Sequence, residues 1–322
     1  MNVSMPSPSP SAGAIRLDRN LLIELARPAP ARLLLQVAFE WSCIAVLVAV
    51  ALRASMWAVS LPCIVLIATR QHALLALMHE FSHHQLSRRR KWLNDGIGDV
   101  FTALPFFVTV HGFRRNHLPH HAHVSTAQDP NWVSSQQKRR YAFPKTRRGI
   151  FADMAGHLAG VYTWDDLKGY TVRSGMAVGL PRAVHLRQAL FLLAVAGLAT
   201  ATGGWWALLV YWIVPLTTVL MAILYVRDLG EHHGMPSRGI LASRTVQAGW
   251  LDRLLFCQNG VNFHTEHHLF PSVPFFRLGR LHRHLRQDPR YQRHAVVTRG
   301  YLTGLVDELS GRRPSGPGSV CP

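Results

Sequence analysis

Four long apolar runs, arranged as two pairs with very short connections, restrict this chain more than any other feature. The first pair is Leu33–Leu52 and Trp57 to about Leu77, separated by Arg53, Ala54, Ser55 and Met56. The second is Ala183–Thr202 and Trp205–Val226, separated by Gly203 and Gly204. About 20 apolar residues in a helix cross the hydrocarbon core of a bilayer. In lipid every backbone polar group needs a partner within the spanning structure, which a helix supplies by itself. The expected fold class is therefore all-α integral membrane, with four transmembrane helices in two hairpins. Each hairpin enters and returns, so both termini and the long middle segment lie on one side. The Pro/Ser-rich start, which lacks the basic, apolar and small-residue parts of a secretory signal, is expected to be a disordered tail over residues 1–20. The membrane domain then runs over 21–310, and GRRPSGPGSVCP at 311–322 forms a second disordered tail.

Charge orients these hairpins. The chain carries 35 Lys+Arg against 17 Asp+Glu. Arg16, Arg19, Arg27 and Arg32 precede the first run, fifteen basic residues lie between Leu86 and Arg182, and thirteen follow Val226. The two short tips hold only Arg53. Basic segments stay on the cytoplasmic side, so the termini and the middle segment are expected there. This distribution accounts for the basic excess without nucleic acid, for which no aromatic-basic module is present. The cysteines Cys43, Cys63, Cys257 and Cys321 form no CxxC and no disulfide framework. Two further apolar stretches, Ile97–Val110 (interrupted by Pro105) and Ile150–Trp164, are short for a span and are expected to lie in or re-enter the interface. Glu40, inside the first run, is read as a neutral or helix-paired side chain in preference to a channel contact.

Histidine carries the chemistry. Of 19 histidines, eleven fall in four tight groups on the side assigned to the cytoplasm: His79-Glu80-Phe81-Ser82-His83-His84, His117-Leu118-Pro119-His120-His121, Glu231-His232-His233 and His264-Thr265-Glu266-His267-His268. Residues four apart on a helix share a face. Eight or nine converging imidazoles exceed what one first-row ion holds, so two metals are implied, and imidazole alone does not choose among zinc, copper, iron and nickel. The first group also spells H-E-x-x-H over residues 79–83, the signature of zinc proteases. A protease zinc takes three protein ligands, which leaves six histidines without a role. The other histidines (72, 111, 123, 157, 185, 282, 284 and 294) have no ligand spacing and are expected to be solvated or satisfied in the core.

The histidine boxes, Asp129-Pro130-Asn131-Trp132 and the run from Asn262 to Pro271 resemble the membrane fatty acid desaturase/hydroxylase superfamily over about residues 30–285. The resemblance implies four spanning helices, a cytoplasmic helical cap and a diiron centre. That centre uses O2 and two electrons to desaturate a fatty acyl or other lipid chain, with hydroxylation and carotenoid ketolation as alternatives. Carried over by position, the implied iron ligands are His79, His83, His117, His120, His121, His232, His264, His267 and His268. His84, His233 and Asn262 are placed as neighbours of the ligands, and Glu80, Asp129, Glu231 and Glu266 either orient imidazoles through their free N–H groups or are surface charges paired with arginines. No fused haem or iron–sulfur segment is evident, so electrons are expected from a separate ferredoxin or cytochrome b5 type donor with its reductase.

Overall fold

The apolar runs fold into helices that extend past the hydropathy boundaries. The computed structural model describes residues 15–169, 176–235 and 242–311. Helix α1 (Arg19–Leu25) is capped by Asp18, whose Oδ1 accepts the Leu21 N–H at 3.0 Å. Ile15 and Leu17 pack against the cluster of Leu25, Leu281 and Tyr291. Residues 15–20, part of the expected 1–20 tail, are therefore packed, because these two apolar side chains find a buried partner. The remainder of both expected tails, 1–14 and 312–322, lies outside the described residues.

Helix α2 (Pro30–Ala54) opens on a proline, whose missing N–H costs nothing in the first turn, and stops at Ser55 in the left-handed region. Helix α3 (Trp57–Ser82) follows immediately and packs along α2. It runs five residues beyond Leu77, which brings His79 onto its last turn and makes His83 its cap. Glu40 on α2 is 2% exposed and accepts from Gln36 Nε2 at 2.7 Å while pairing with Arg70 Nη1 on α3 at 3.1 Å. It is the helix-paired carboxylate that the sequence favoured.

The stretch Ile97–Val110 does not form one helix. Helix α4 (Lys91–Gly98) passes through a wide turn at Asp99–Ala103 and a tight one at Leu104–Phe106, and then the chain bends by 88° into α5 (Val110–His123). Pro105 and Phe107, at φ 63°, sit at the break. The buried Asp99 holds the bend: Oδ1 accepts the Val110 N–H at 2.7 Å and Oδ2 pairs with Arg187 at 2.6 Å. Helix α6 (Pro130–Gln136) follows. The second short stretch divides at Gly160 into α7 (Arg147–Leu158) and α8 (Thr163–Lys168). Ile150 and His157 are buried, whereas Val161 and Trp164 are exposed along one edge.

Helix α9 (Arg182–Thr202) ends on Gly203 at φ 64°, and α10 (Trp205–Glu231) contains a wide turn at Leu209–Ile213 ahead of Pro215. Among the described residues four helices are long and apolar enough to cross a bilayer; of these α3 is central, with 67% of its apolar window buried, and α9 is peripheral, with 11%. Leu35, Val46, Leu193 and Leu198 are all more than half exposed. A continuous apolar surface of this kind is excluded from water and belongs in lipid. This is a membrane protein.

A departure from the all-helical expectation follows. Strand β1 (Arg244–Gln247) pairs in parallel with β2 (Val296–Arg299), register Thr245 to Val297, and both are largely buried. Four-residue strands separated by almost fifty residues leave no hairpin signal in the sequence. Between the strands lie α11 (Trp250–Leu255), α12 (His264–Leu269), α13 (Phe275–Leu285) and α14 (Pro289–His294). Helix α15 (Val306–Leu309) closes the described chain.

Candidate metal centre

Nine imidazoles converge in two clusters. His79, His83, His117, His121 and His267 form one, and His120, His232, His264 and His268 form the other. Within each, the ligand nitrogens all lie within 4.8 Å of one another. The two HxxHH boxes divide reciprocally. On α5, His117 and His121 serve the five-histidine cluster and His120 the four-histidine one. On α12, His264 and His268 serve the four-histidine cluster and His267 the five-histidine one. Helical geometry produces this split. Residues i and i+4 differ by about 40° around the axis, whereas neighbours differ by about 100°. One short helix turn therefore feeds two adjacent sites.

The nitrogen geometry suits bound cations better than a plain hydrogen-bonded cluster. Nε2 of His117 is 3.0 Å from that of His83 and 2.9 Å from that of His121. His267 Nε2 is 2.9 Å from both His79 and His121, and His264 Nε2 is 2.7 Å from His232 and 3.0 Å from His268. An imidazole nitrogen offers either one N–H or one lone pair in the ring plane, so it cannot satisfy two such partners. The tautomers sharpen the point. His232 Nδ1 lies 2.7 Å from the Ala242 carbonyl and His120 Nδ1 lies 2.9 Å from Asp129 Oδ2. Each acceptor takes a proton on Nδ1, so with both rings neutral the two Nε2 atoms present lone pairs to each other at 3.1 Å. A cation between them removes that repulsion. With metal–nitrogen bonds of about 2.0–2.1 Å, ligands at right angles stand about 3 Å apart, the spacing found here. The donor set fits two ions.

Burial favours the neutral form of seven of these imidazoles, the form that binds metal. It pushes the His121 imidazole down to about 3, helped by His83 and His120. His83 falls to about 4, again mainly through burial, with His84 and Arg114 adding to it. Burial likewise holds His117, His232, His264, His267 and His268 well below the ordinary histidine value.

The carboxylates that the sequence grouped together have different surroundings. Asp129 caps α6 and bonds His120, and its Oδ2 also accepts the Ser125 N–H at 2.9 Å. Glu231 lies 3.4 Å from His264 Nδ1 and is held by Arg227 at 2.6 Å. Glu80 lies 3.6 Å from His79 Nδ1 and accepts the Phe275 N–H at 3.1 Å. Glu266 touches no ligand imidazole in this way. Its carboxylate accepts from Thr245 Oγ1 at 2.6 Å, His282 Nδ1 at 2.6 Å and the Tyr291 hydroxyl, and so anchors α12 as a whole. Asn262 bonds the Val246 carbonyl. His84 and His233 belong to neither cluster. The His233 ring stacks on Tyr141 at 4.8 Å, with its Nδ1 donating to the Asp228 carbonyl. Sequence reasoning missed Thr245, His282, Tyr291 and the Ala242 carbonyl, which no ligand spacing marks.

A cavity of about 200 Å³ opens onto His79, His117, His120 and His264. Leu75, Met78, Phe106, Phe113, Leu216 and Leu220 form its apolar wall, while Asn131, Ser134, Ser135 and Lys138 contribute polar groups. The sequence model of the fatty acid desaturase family matches residues 55–300. The chain is similar to the dihydrorhizobitoxine desaturase of Bradyrhizobium elkanii, 25% identical over 88% of this chain and 84% of that one. It is also similar to the sn-1 acyl-lipid omega-3 desaturase (ferredoxin) of Nostoc sp. (strain 36), 25% identical over 64% and 61%. A third relative is the fatty acid conjugase FAC2 B of Calendula officinalis, 26% identical over 61% and 59%.

Proposed function

The chain belongs to the fatty acid desaturase family, and on that premise we propose that it is a diiron enzyme that uses O2 to desaturate a hydrocarbon segment of its substrate. The observation that carries this reading is the convergence of nine imidazoles into two clusters, in one of which the Nε2 atoms of His120 and His232 face each other at 3.1 Å. When bound, the iron pair supplies the oxygen activation and the removal of hydrogen from unactivated carbon that no side chain performs. The nine histidines hold the ions, five around one and four around the other. Asp129 and the Ala242 carbonyl fix the tautomers of His120 and His232 through their Nδ1 protons. The apolar wall from Leu75 to Leu220 excludes water and aligns the chain against the ligand face.

In this reading the four long helices cross the bilayer as two hairpins, with both termini and the histidine groups cytoplasmic, as the basic residues require. The bent α4–α5 element then re-enters the membrane edge without crossing. A lipid-borne acyl chain enters the cavity from the bilayer. The electron donor is a separate protein, and the Nostoc relative's own name includes ferredoxin.

A second reading of the substrate rests on the cavity's polar groups, since Asn131, Ser134, Ser135 and Lys138 border the same space as the apolar wall. The relative aligned over 88% of this chain is named for dihydrorhizobitoxine and not for an acyl lipid. A substrate with a polar group near the reacting carbons fits that lining. Expression in a host with a ferredoxin and its reductase, followed by mass spectrometry of lipids and polar metabolites, separates the readings. A product two hydrogens lighter in the lipid fraction supports acyl desaturation, and one in the polar fraction supports the second. No mass change of either kind sinks the desaturase assignment.

A further inference from the structure

We propose that the basic face made by Arg27, Arg32, Arg277 and Arg280 docks an acidic one-electron carrier protein, and that electrons pass inward from it through Phe276, Phe275 and Glu80 to His79. The inference rests on the diiron reading above. It starts from charge: Arg277 stands in the field of Arg27, Arg32 and Arg280, and Glu24, which pairs with Arg280 at 2.5 Å, offsets part of it. Arg27, Arg32 and Arg280 are exposed. Arg277 is fixed at the centre, with Nη1 donating to the carbonyls of Glu24, Leu25 and Arg27 at 2.9, 3.0 and 2.6 Å. Arg88 extends the face, donating to the Ala26 carbonyl at 2.6 Å. A surface of net positive charge raises the encounter rate with an oppositely charged protein and sets its orientation.

Beneath the charge lies a route inward. The Arg32 guanidinium stands 4.3 Å over the Phe276 ring and that of Arg277 stands 5.1 Å from it. Phe276 meets the Phe275 ring edge to face at 5.4 Å. The Phe275 N–H bonds Glu80 Oε2 at 3.1 Å, and Glu80 Oε1 lies 3.6 Å from Nδ1 of His79 in the five-histidine cluster. Anionic lipid head groups would also neutralise arginines, but lipid binding leaves this inward line of contacts without a use. The carrier is therefore the occupant the geometry favours.

The electron count closes. Each docking oxidises the carrier by one electron and reduces one iron by one. Two dockings supply two electrons, and forming the double bond supplies two more with two protons. Together with two protons from solvent they reduce O2 to two waters.

The test uses the full chain in nanodiscs and an oxidised acidic [2Fe–2S] ferredoxin as probe, so that binding is read without turnover. Arg27→Glu/Arg32→Glu is expected to weaken ferredoxin binding at least tenfold and to flatten its salt dependence. Arg147→Glu/Arg148→Glu, the same charge change at the exposed start of α7, is expected to change it less than twofold. Iron content measured on the first variant shows that it has inserted and folded, and Arg32→Gln, with a smaller loss expected, serves if it has not. Phe276→Leu should bind normally yet accept electrons from reduced ferredoxin several-fold more slowly. Equal losses in both double variants would reduce the effect to net charge and overturn the proposal. So would unchanged ferredoxin affinity together with lost dependence on phosphatidylglycerol over phosphatidylcholine in the disc, which would assign the face to lipid. Failure of the diiron reading itself is seen separately, as wild-type protein without iron that still binds ferredoxin.

Discussion

Replacing Asp129 should empty one metal site before the other. Its carboxylate accepts four N–H groups: His120 Nδ1 and Ser125 N on Oδ2, both at 2.9 Å, and Asn131 and Trp132 N on Oδ1 at 2.9 and 3.3 Å. Asp129→Ala removes the cap of α6, a cost of about 1 kcal/mol. It also strands the buried His120 and Ser125 donors, at about 1–3 kcal/mol each. The loss to folding is thus at least about 3 kcal/mol. The loss to the metal falls on the four-histidine cluster, where an outer carboxylate of this kind is worth about 10–100-fold in affinity. Asp129→Asn is instructive as well. Its NH2 must face donors on one side or the other, so it keeps either the His120 bond or the cap, and its effect should be intermediate. The assay is iron per chain during titration with a chelator, with Mössbauer spectra to resolve the two environments. The Asp129→Ala variant should pass through a state with about one iron per chain, held by the five-histidine cluster. Two irons released together at wild-type chelator concentration would refute the assignment of Asp129 to His120.

The other predictions concern neighbouring features. His232→Ala should lose iron and all product formation, whereas His233→Ala should keep its iron and lose about 1–3 kcal/mol of stability through the Tyr141 stack; equal iron loss in both would misassign the ninth ligand. Burial raises the Asp166 pKa, but the His157 hydrogen bond and the Lys138 and Arg140 charges outweigh it and leave the carboxyl near 2. A depressed carboxylate stabilises above its unfolded value and loses that contribution as pH falls through its folded value. Asp166→Asn should therefore cost about 2 kcal/mol at neutral pH and abolish the loss of thermal stability between about pH 4 and 2, and an unchanged acid limb in a melting series would count against this. In a cysteine-free background, Cys at Ser55 or Gly203 should label from outside intact cells and Cys at Ser134 should not; outside labelling at Ser134 would mean that the α4–α5 element crosses the membrane.

Much of the site was legible because metal ligation uses local spacing. The pairs His117/His121 and His264/His268, four apart, and their offset neighbours His120 and His267 already encode two faces of a short helix. What the spacing could not convey was the reciprocal assignment, which depends on α5 and α12 meeting in three dimensions. Glu266 was misread for a related reason. Lying between ligands, it looked like their outer partner, yet its own partners are 21, 16 and 25 residues away and come from β1, α13 and α14. The long helices were marked by hydropathy, but their polar extensions were not, because Met78–Ser82 and Arg227–Glu231 carry the polar residues that end an apolar run. The 88° bend was hidden in the same way. Pro105 marks a break, and only the contacts of Asp99 with Val110 and Arg187 give it direction.

The central claim is that the nine imidazoles hold two irons in unlike sets of five and four. The most direct test is metal analysis joined to Mössbauer spectroscopy on protein made with enriched iron and without added zinc. The account predicts about two irons per chain, two resolved nitrogen-rich environments, and reoxidation of the reduced protein by O2. One tightly bound zinc per chain in an active preparation, or a single mononuclear iron signal unaffected by His232→Ala, would contradict it.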